Sequence, residues 1–267
     1  MMRKCLLILI LAPTCIFGQP IDSMRQSDGF RVADGMLYTF GSPHRWKEKD
    51  WMKLGGVLAG TAVLTLLDNP VREFWLKQDS RFLDGINTVG YHYGKPYSAL
   101  LFTGGFYLGG VVFKDDWMRE TGLILCTSLL SAGLTEMTLK PVIGRARPYT
   151  GEGNYELTFL NKEAGFQSFP SGHASMAFTI SMVMARRVNS APVKILFYSL
   201  AATTVACRLY SDAHWISDVA FGGTIAWFCS DVALKRLTEN RFRQVRSRKF
   251  QWKVYPYPSG LTVKATF

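Results

Sequence analysis

Paired cysteines are missing from this sequence. Its 267 residues hold five, Cys5, Cys15, Cys126, Cys207 and Cys229, and none stands at a spacing that suits a zinc site or a disulfide framework. Free, mostly buried thiols are expected instead. Also missing is a stripe of basic residues interleaved with aromatics, so the excess of 31 lysines and arginines over 20 acids, formally +11, does not point to nucleic acid. That excess gathers in a C-terminal tail and in short connections beside apolar segments, as on the cytoplasmic side of a membrane protein. No internal repeat or low-complexity tract is present, and a single domain is the natural organisation for this length.

What is present is apolar. Hydrophobic residues make up 48% of the chain and the mean hydropathy is +0.07, between a soluble protein and a polytopic membrane protein. Residues 1–18 have the build of a secretory signal: Arg3 and Lys4, an apolar run from Cys5 to Ala12, and Gly18 before Gln19. Two readings stand for it, a cleaved signal peptide and a retained signal anchor. Residues 19–50 are polar and read as an exposed arm. Six apolar segments follow, at 52–67, 97–113, 121–139, 174–188, 193–206 and 216–234. Three of them are short against the roughly 17–25 residues a span requires. Glycine pairs such as Gly55-Gly56, Gly109-Gly110 and Gly222-Gly223 suit close helix packing. The expected architecture is therefore all-α, a six-helix and transmembrane bundle over residues 51–240, with buried helices of a soluble protein as the other reading. Between the first two segments, Val71, Phe74, Trp75, Phe82, Ile86 and Val89 form an apolar stripe that suits an interfacial or a core helix. The basic tail, 241–267, alternates about Pro258-Ser259-Gly260 and suggests a terminal β-hairpin.

Three stretches carry chemistry. In Arg208-x5-His214-x3-Asp218 the histidine and the acid are one helical turn apart, so a carboxylate can take the ring's Nδ1 hydrogen and leave Nε2 free as nucleophile or base. Lys140 and Arg147, the latter before Pro148, supply two cations after an apolar run. Pro170-Ser171-Gly172-His173 precedes another such run, and backbone N–H groups at a helix N-terminus form an anion site. Three cations, an anion-binding turn and two histidines describe phosphoryl transfer without a metal or other cofactor. If all six segments span, the three stretches fall on one side, opposite Lys114, Arg119, Arg186, Arg187, Lys194 and the basic tail. The site would then face outward, toward the periplasm or exterior. A cleaved signal conflicts with this topology, since it leaves the N-terminus outside where six spans need it inside.

At these residues the chain resembles the type 2 phosphatidic acid phosphatase (PAP2) superfamily, which includes class A acid phosphatases and vanadium haloperoxidases, and within it the membrane lipid phosphatases. The pattern is Lys-x6-Arg-Pro, Pro-Ser-Gly-His and Ser-Arg-x5-His-x3-Asp, met here by Lys140 to Pro148, Pro170 to His173, and Arg208, His214 and Asp218, with Cys207 in place of serine. The resemblance implies that His214 attacks phosphorus, that Asp218 holds its ring, and that His173 protonates the leaving oxygen and then activates water. It also implies that Lys140, Arg147, Ser171, Gly172 and Arg208 bind the phosphoryl group. The implied substrate is a phosphorylated membrane lipid: undecaprenyl diphosphate, phosphatidylglycerol phosphate, phosphatidate or lipid A. A broad, soluble exported phosphatase, a vanadate-dependent haloperoxidase and a non-catalytic phospholipid-binding protein are the rivals. The segment 149–169 is expected to border the entrance. Arg145 matches no motif position and reads as a solvated neighbour; Glu136 reads as a boundary carboxylate or, within a membrane, a functional one.

Overall fold

The computed structural model describes residues 27–248, 251–257 and 260–266, with side chains described through residue 238. The signal segment lies outside the described residues. These contain nine α-helices: α1 (Asp28–Phe40), α2 (Glu48–Leu64), α3 (Asp68–Leu76), α4 (Arg81–Tyr93), α5 (Pro96–Val112), α6 (Asp116–Ile143), α7 (Gly172–Arg187), α8 (Ala191–Tyr210) and α9 (Ile216–Arg248). Strands β1 (Gln251–Tyr257) and β2 (Gly260–Thr266) pair antiparallel, with Val254 opposite Val263.

The caps follow from the sequence. Ser27, Ser80 and Asp115 each precede a helix, and each side chain accepts a hydrogen bond from a backbone N–H in the first turn, at Phe30, Phe82 and Met118. Pro96 and Pro192 sit in the first turns of α5 and α8, where the missing N–H costs nothing. At the other end of α6, Gly144 takes φ +60°, and a Cβ there would lie 1.8 Å from the Thr158 carbonyl oxygen, so only glycine makes this turn.

Each of the six expected segments falls on a helix: α2, α5, α6, α7, α8 and α9. The core joins Leu123, Ile124 and Leu125 of α6 to Ala177, Ile180 and Val183 of α7, Phe197 of α8 and Leu237 of α9. α5 lies so close to α6 that a Cβ at Gly122 would stand 2.6 Å from the Tyr107 backbone nitrogen. Three stretches, Glu48–Leu76, Asp116–Ile143 and Ala191–Tyr210, are long and apolar enough to cross a membrane. In the first, the described residues bury only 6% of the apolar window, which leaves an apolar face uncovered.

Two expectations need correction. The polar arm is a folded element from residue 28 onward, because α1 closes the end of the bundle remote from the motifs. Gly35 packs on Thr127 and Leu237, and Asp28 pairs with Arg119 at 2.6 Å, Arg31 with Glu120 at 3.9 Å and Arg236 with Asp34 at 2.8 Å. Its charges are spent on partners in α6 and α9, which is why it reads as polar. The single stripe over 71–89 is instead two helices, divided where Ser80 caps α4. Val71 and Trp75 of α3 join the core near Leu209 and Val219, while Phe82 of α4 stays exposed.

Candidate active site

All three motif stretches meet at one end of the bundle. Lys140, in the last turn of α6, donates from Nζ to the carbonyl oxygens of Pro170 at 2.7 Å and Gln167 at 3.1 Å. Arg147 reaches the same Gln167 oxygen from Nη2 at 3.3 Å, Ala164 O from Nε at 2.9 Å and Ala213 O from Nη1 at 3.2 Å. These two cations thus tie the α6–α7 connection to itself and to the α8–α9 connection. The latter is folded back on Arg208, whose carbonyl oxygen accepts from the N–H groups of Ala213 and His214. Ser171, the residue before α7, donates its N–H to the carbonyl oxygen of Asp218 at 3.1 Å, which seats the helix start on α9. A Cβ on Gly172 would come within 2.9 Å of Glu136 Oε2, so the backbone of this turn lies directly over the buried Glu136.

The His214–Asp218 pair has the expected register with an open spacing. Nδ1 stands 3.7 Å from Asp218 Oδ2, beyond hydrogen-bond distance, and both side chains are buried. Burial, more than the nearby cations, pushes the His214 imidazole down from 6.5 to about 4, against the pull of Asp218. The ring is therefore neutral at neutral pH, with a lone pair to offer. His173 stacks on Tyr91 at 5.6 Å between ring centroids, and the Arg208 guanidinium lies 5.2 Å from the same ring. Arg208 Nη2 is also 2.9 Å from Cys207 Sγ, so the thiol at the unusual position serves as an acceptor for the arginine.

Arg145 overturns its reading as a solvated neighbour. It is buried, and its guanidinium donates to Asp218 Oδ1 at 2.5 Å, Asp68 Oδ2 at 2.6 Å, Ser217 Oγ at 2.8 Å and the Asn154 carbonyl oxygen at 2.6 Å. Asp68 in turn accepts from the N–H of Ser217 at 3.1 Å and from its hydroxyl at 2.9 Å. Asp218 Oδ2 accepts from the Trp215 N–H at 2.9 Å and from the Ser168 hydroxyl. The Asp218 carboxylate is thus fixed by three groups, Arg145, Trp215 and Ser168, before His214 is considered. The sequence signal is one cation more than the motifs use; Asp68, closing the first apolar segment, has Arg72 four residues on as its local candidate, but Arg72 pairs with Asp212.

Buried polar atoms at this end without a hydrogen-bond partner among the described residues include Ser171 Oγ, His173 Nε2, Arg208 Nε and His214 Nδ1, together with Glu136 Oε1 and Ser175 Oγ. The first four come from the start of α7, from the last turn of α8 and from the α8–α9 connection, at the same end as the cations Lys140 and Arg147. Such a cluster suits a small oxyanion, which can accept from several donors at once.

Residues 121–242 match the family model of the PAP2 superfamily. Lipid A 1-phosphatases of Rhizobium etli and Rhizobium johnstonii are 35% and 32% identical over 114 residues, which is 40% of this chain and 47% and 44% of theirs. The chain therefore matches about half the length of these relatives. A transmembrane PAP2-type phosphatidylglycerolphosphate phosphatase of Bacillus subtilis shares the fold, with a TM-score of 0.53, 20% identity, and coverage of 69% of this chain and 95% of that one.

Proposed function

Because residues 121–242 match the family model of the PAP2 superfamily, we propose that the chain is a membrane-embedded phosphatase of this kind that removes a phosphoryl group from a phosphorylated lipid through a phosphohistidine. The observation that carries the reading is the group of buried, unpartnered polar atoms that includes Ser171 Oγ, His173 Nε2, Arg208 Nε and His214 Nδ1, at the end of the bundle that also holds Lys140 and Arg147. A tetrahedral phosphoryl group offers Ser171, His173 and Arg208 an acceptor, while His214 Nδ1 faces Asp218 and leaves Nε2 for phosphorus.

His214 Nε2 attacks phosphorus in line, forming the N–P bond as the bond to the leaving oxygen breaks. His173, whose Nε2 is unpartnered, gives its proton to that oxygen. Water then attacks the phosphohistidine, His173 takes the water's proton, and orthophosphate leaves. As positive charge grows on the His214 ring, Nδ1–H is drawn to the Asp218 carboxylate 3.7 Å away, which Arg145 and Ser168 hold in place. Lys140, Arg147 and Arg208, with Ser171 and the Gly172 N–H, neutralise the equatorial oxygens, so the acceleration comes from prepositioned charge.

Membrane residence is supported by the apolar surface of the helices, where Leu58, Leu101, Leu108, Met137 and Ile195 are exposed. The excess of positive charge at the end remote from the motifs supports a site facing the periplasm or exterior. Among lipid substrates, the two Rhizobium relatives favour the phosphate of lipid A. Phosphate release by detergent-purified protein and its His214→Ala variant is the test, on a panel of lipid A, undecaprenyl diphosphate, phosphatidylglycerol phosphate, phosphatidate and p-nitrophenyl phosphate. His214-dependent preference for a lipid is expected. Equal turnover of p-nitrophenyl phosphate would instead favour a broad exported phosphatase, and no turnover would refute the enzyme.

A further inference from the structure

Beside the cluster described above lies one more cation that no motif includes. The turn between α4 and α5 sits on the first residues of α7: a Cβ at Gly94 would be 2.9 Å from the His173 carbonyl oxygen and 3.0 Å from its Cβ. The next residue, Lys95, precedes α5, and its Nζ lies 4.2 Å from the Tyr91 ring centroid. That same ring stacks on His173 and carries Arg208 at 5.2 Å. Tyr91 is thus one aromatic platform shared by the proposed leaving-group acid, a phosphate-binding arginine and Lys95. Both Tyr91 and Lys95 are open to solvent on one side, and the Lys95 ammonium rests on a ring rather than on a carboxylate.

We propose that Lys95, held on Tyr91, binds a second phosphoryl group on the leaving-group side, and so selects substrates in which the scissile phosphate is joined to another by an anhydride. This rests on the phosphatase reading and departs from it in one respect: the leaving group is a lipid phosphate rather than the sugar of lipid A. His173 marks the side from which the leaving oxygen departs, and a cation beside that position matters most where the leaving group is itself an anion. With a diphosphate, His214 Nε2 bonds to the terminal phosphorus as the bridging P–O bond breaks, and the bridging oxygen leaves as part of a lipid monophosphate. Lys95 meets the charge that collects there, and His173 supplies the proton. Water then releases orthophosphate and returns the proton to His173. An alcohol or sugar leaving group places no second phosphoryl group beside Lys95, which gives discrimination within one mechanism.

The test compares farnesyl diphosphate with farnesyl monophosphate, which share a tail and differ only in the second phosphoryl group. It measures kcat/KM for both with the unaltered protein, Lys95→Gln, Lys95→Arg and His214→Ala. Loss of a charged hydrogen bond predicts that Lys95→Gln lowers the diphosphate-to-monophosphate ratio about tenfold, while Lys95→Arg keeps most of it. A ratio unchanged in Lys95→Gln would overturn the assignment, whether both rates fall together, as for a lysine that only supports the α4–α5 turn, or neither falls, as for a surface lysine. Activity of the unaltered protein on neither substrate, or activity that survives in His214→Ala, would overturn the phosphatase reading and this one with it.

Discussion

Replacing Arg145 by glutamine should be among the most damaging single changes outside the motifs. Arg145 pairs at 2.6 Å with Asp68 and at 2.5 Å with Asp218, and both carboxylates are buried. Removing the cation strands two acids that keep only neutral donors: Ser217 for Asp68, and Trp215 N–H with Ser168 for Asp218. Breaking a buried pair from one side costs about 3–5 kcal/mol. For a chain of this size that corresponds to a fall of roughly 6–15 °C in melting temperature. Thermal unfolding in detergent, followed by tryptophan fluorescence, reads the shift. Asp68→Asn in the Arg145→Gln background removes one stranded charge and should recover about 1–3 kcal/mol, so the two changes combine far from additively. An Arg145→Gln protein within about 0.5 kcal/mol of the unaltered one, as for an exposed arginine, would refute the network.

Other outcomes follow from single distances. Gly172→Ala places a Cβ 2.9 Å from Glu136 Oε2 and should lower kcat about tenfold to a hundredfold by shifting the turn, whereas Gly133→Ala, with nothing within 4 Å, should leave the rate unchanged; equal effects would show that the turn has room. His214 titrates near 4 in the fold against 6.5 unfolded, so folding favours its neutral form. Its contribution to stability is whole above pH 6.5 and is lost as pH falls from there toward 4, and the acid limb of kcat/KM that belongs to this ring should lie below pH 5. A limb near 6.5 that persists with substrates ionising well outside that range would show an exposed imidazole. Cys207→Ser keeps an acceptor for Arg208 Nη2, now 2.9 Å from the thiol, and should change kcat by less than about tenfold; a larger loss of phosphate release would give the thiol a further role.

The cluster was legible because its spacing is local. Lys140 to Arg147, Pro170 to His173, and Arg208 to Asp218 each lie within a turn or a short connection, where helical periodicity and capping fix relative position. The six apolar segments were legible for the same reason. What supports the cluster was not. Arg145 and Asp68 are 77 residues apart, and the direction of Arg145 depends on the left-handed turn at Gly144. Lys95 and Tyr91 reach His173 only because Gly94 lets two connections touch. α1 looked like solvated chain because its ionic partners, Arg119, Glu120 and Arg236, lie in helices about 90 to 200 residues further on.

The order in which these residues are synthesised matters as well. A chain made from its N-terminus has Asp68 before Arg145, and both before Asp218. The arginine therefore has Asp68 as a partner while α9 is still absent. Asp218 arrives with the last helix and completes both the ion triad and the histidine pair in one event. A product truncated before residue 216 would hold the cations and His214 without the carboxylate that orients the ring. On the proposed mechanism, the site is therefore completed only when α9 has been made.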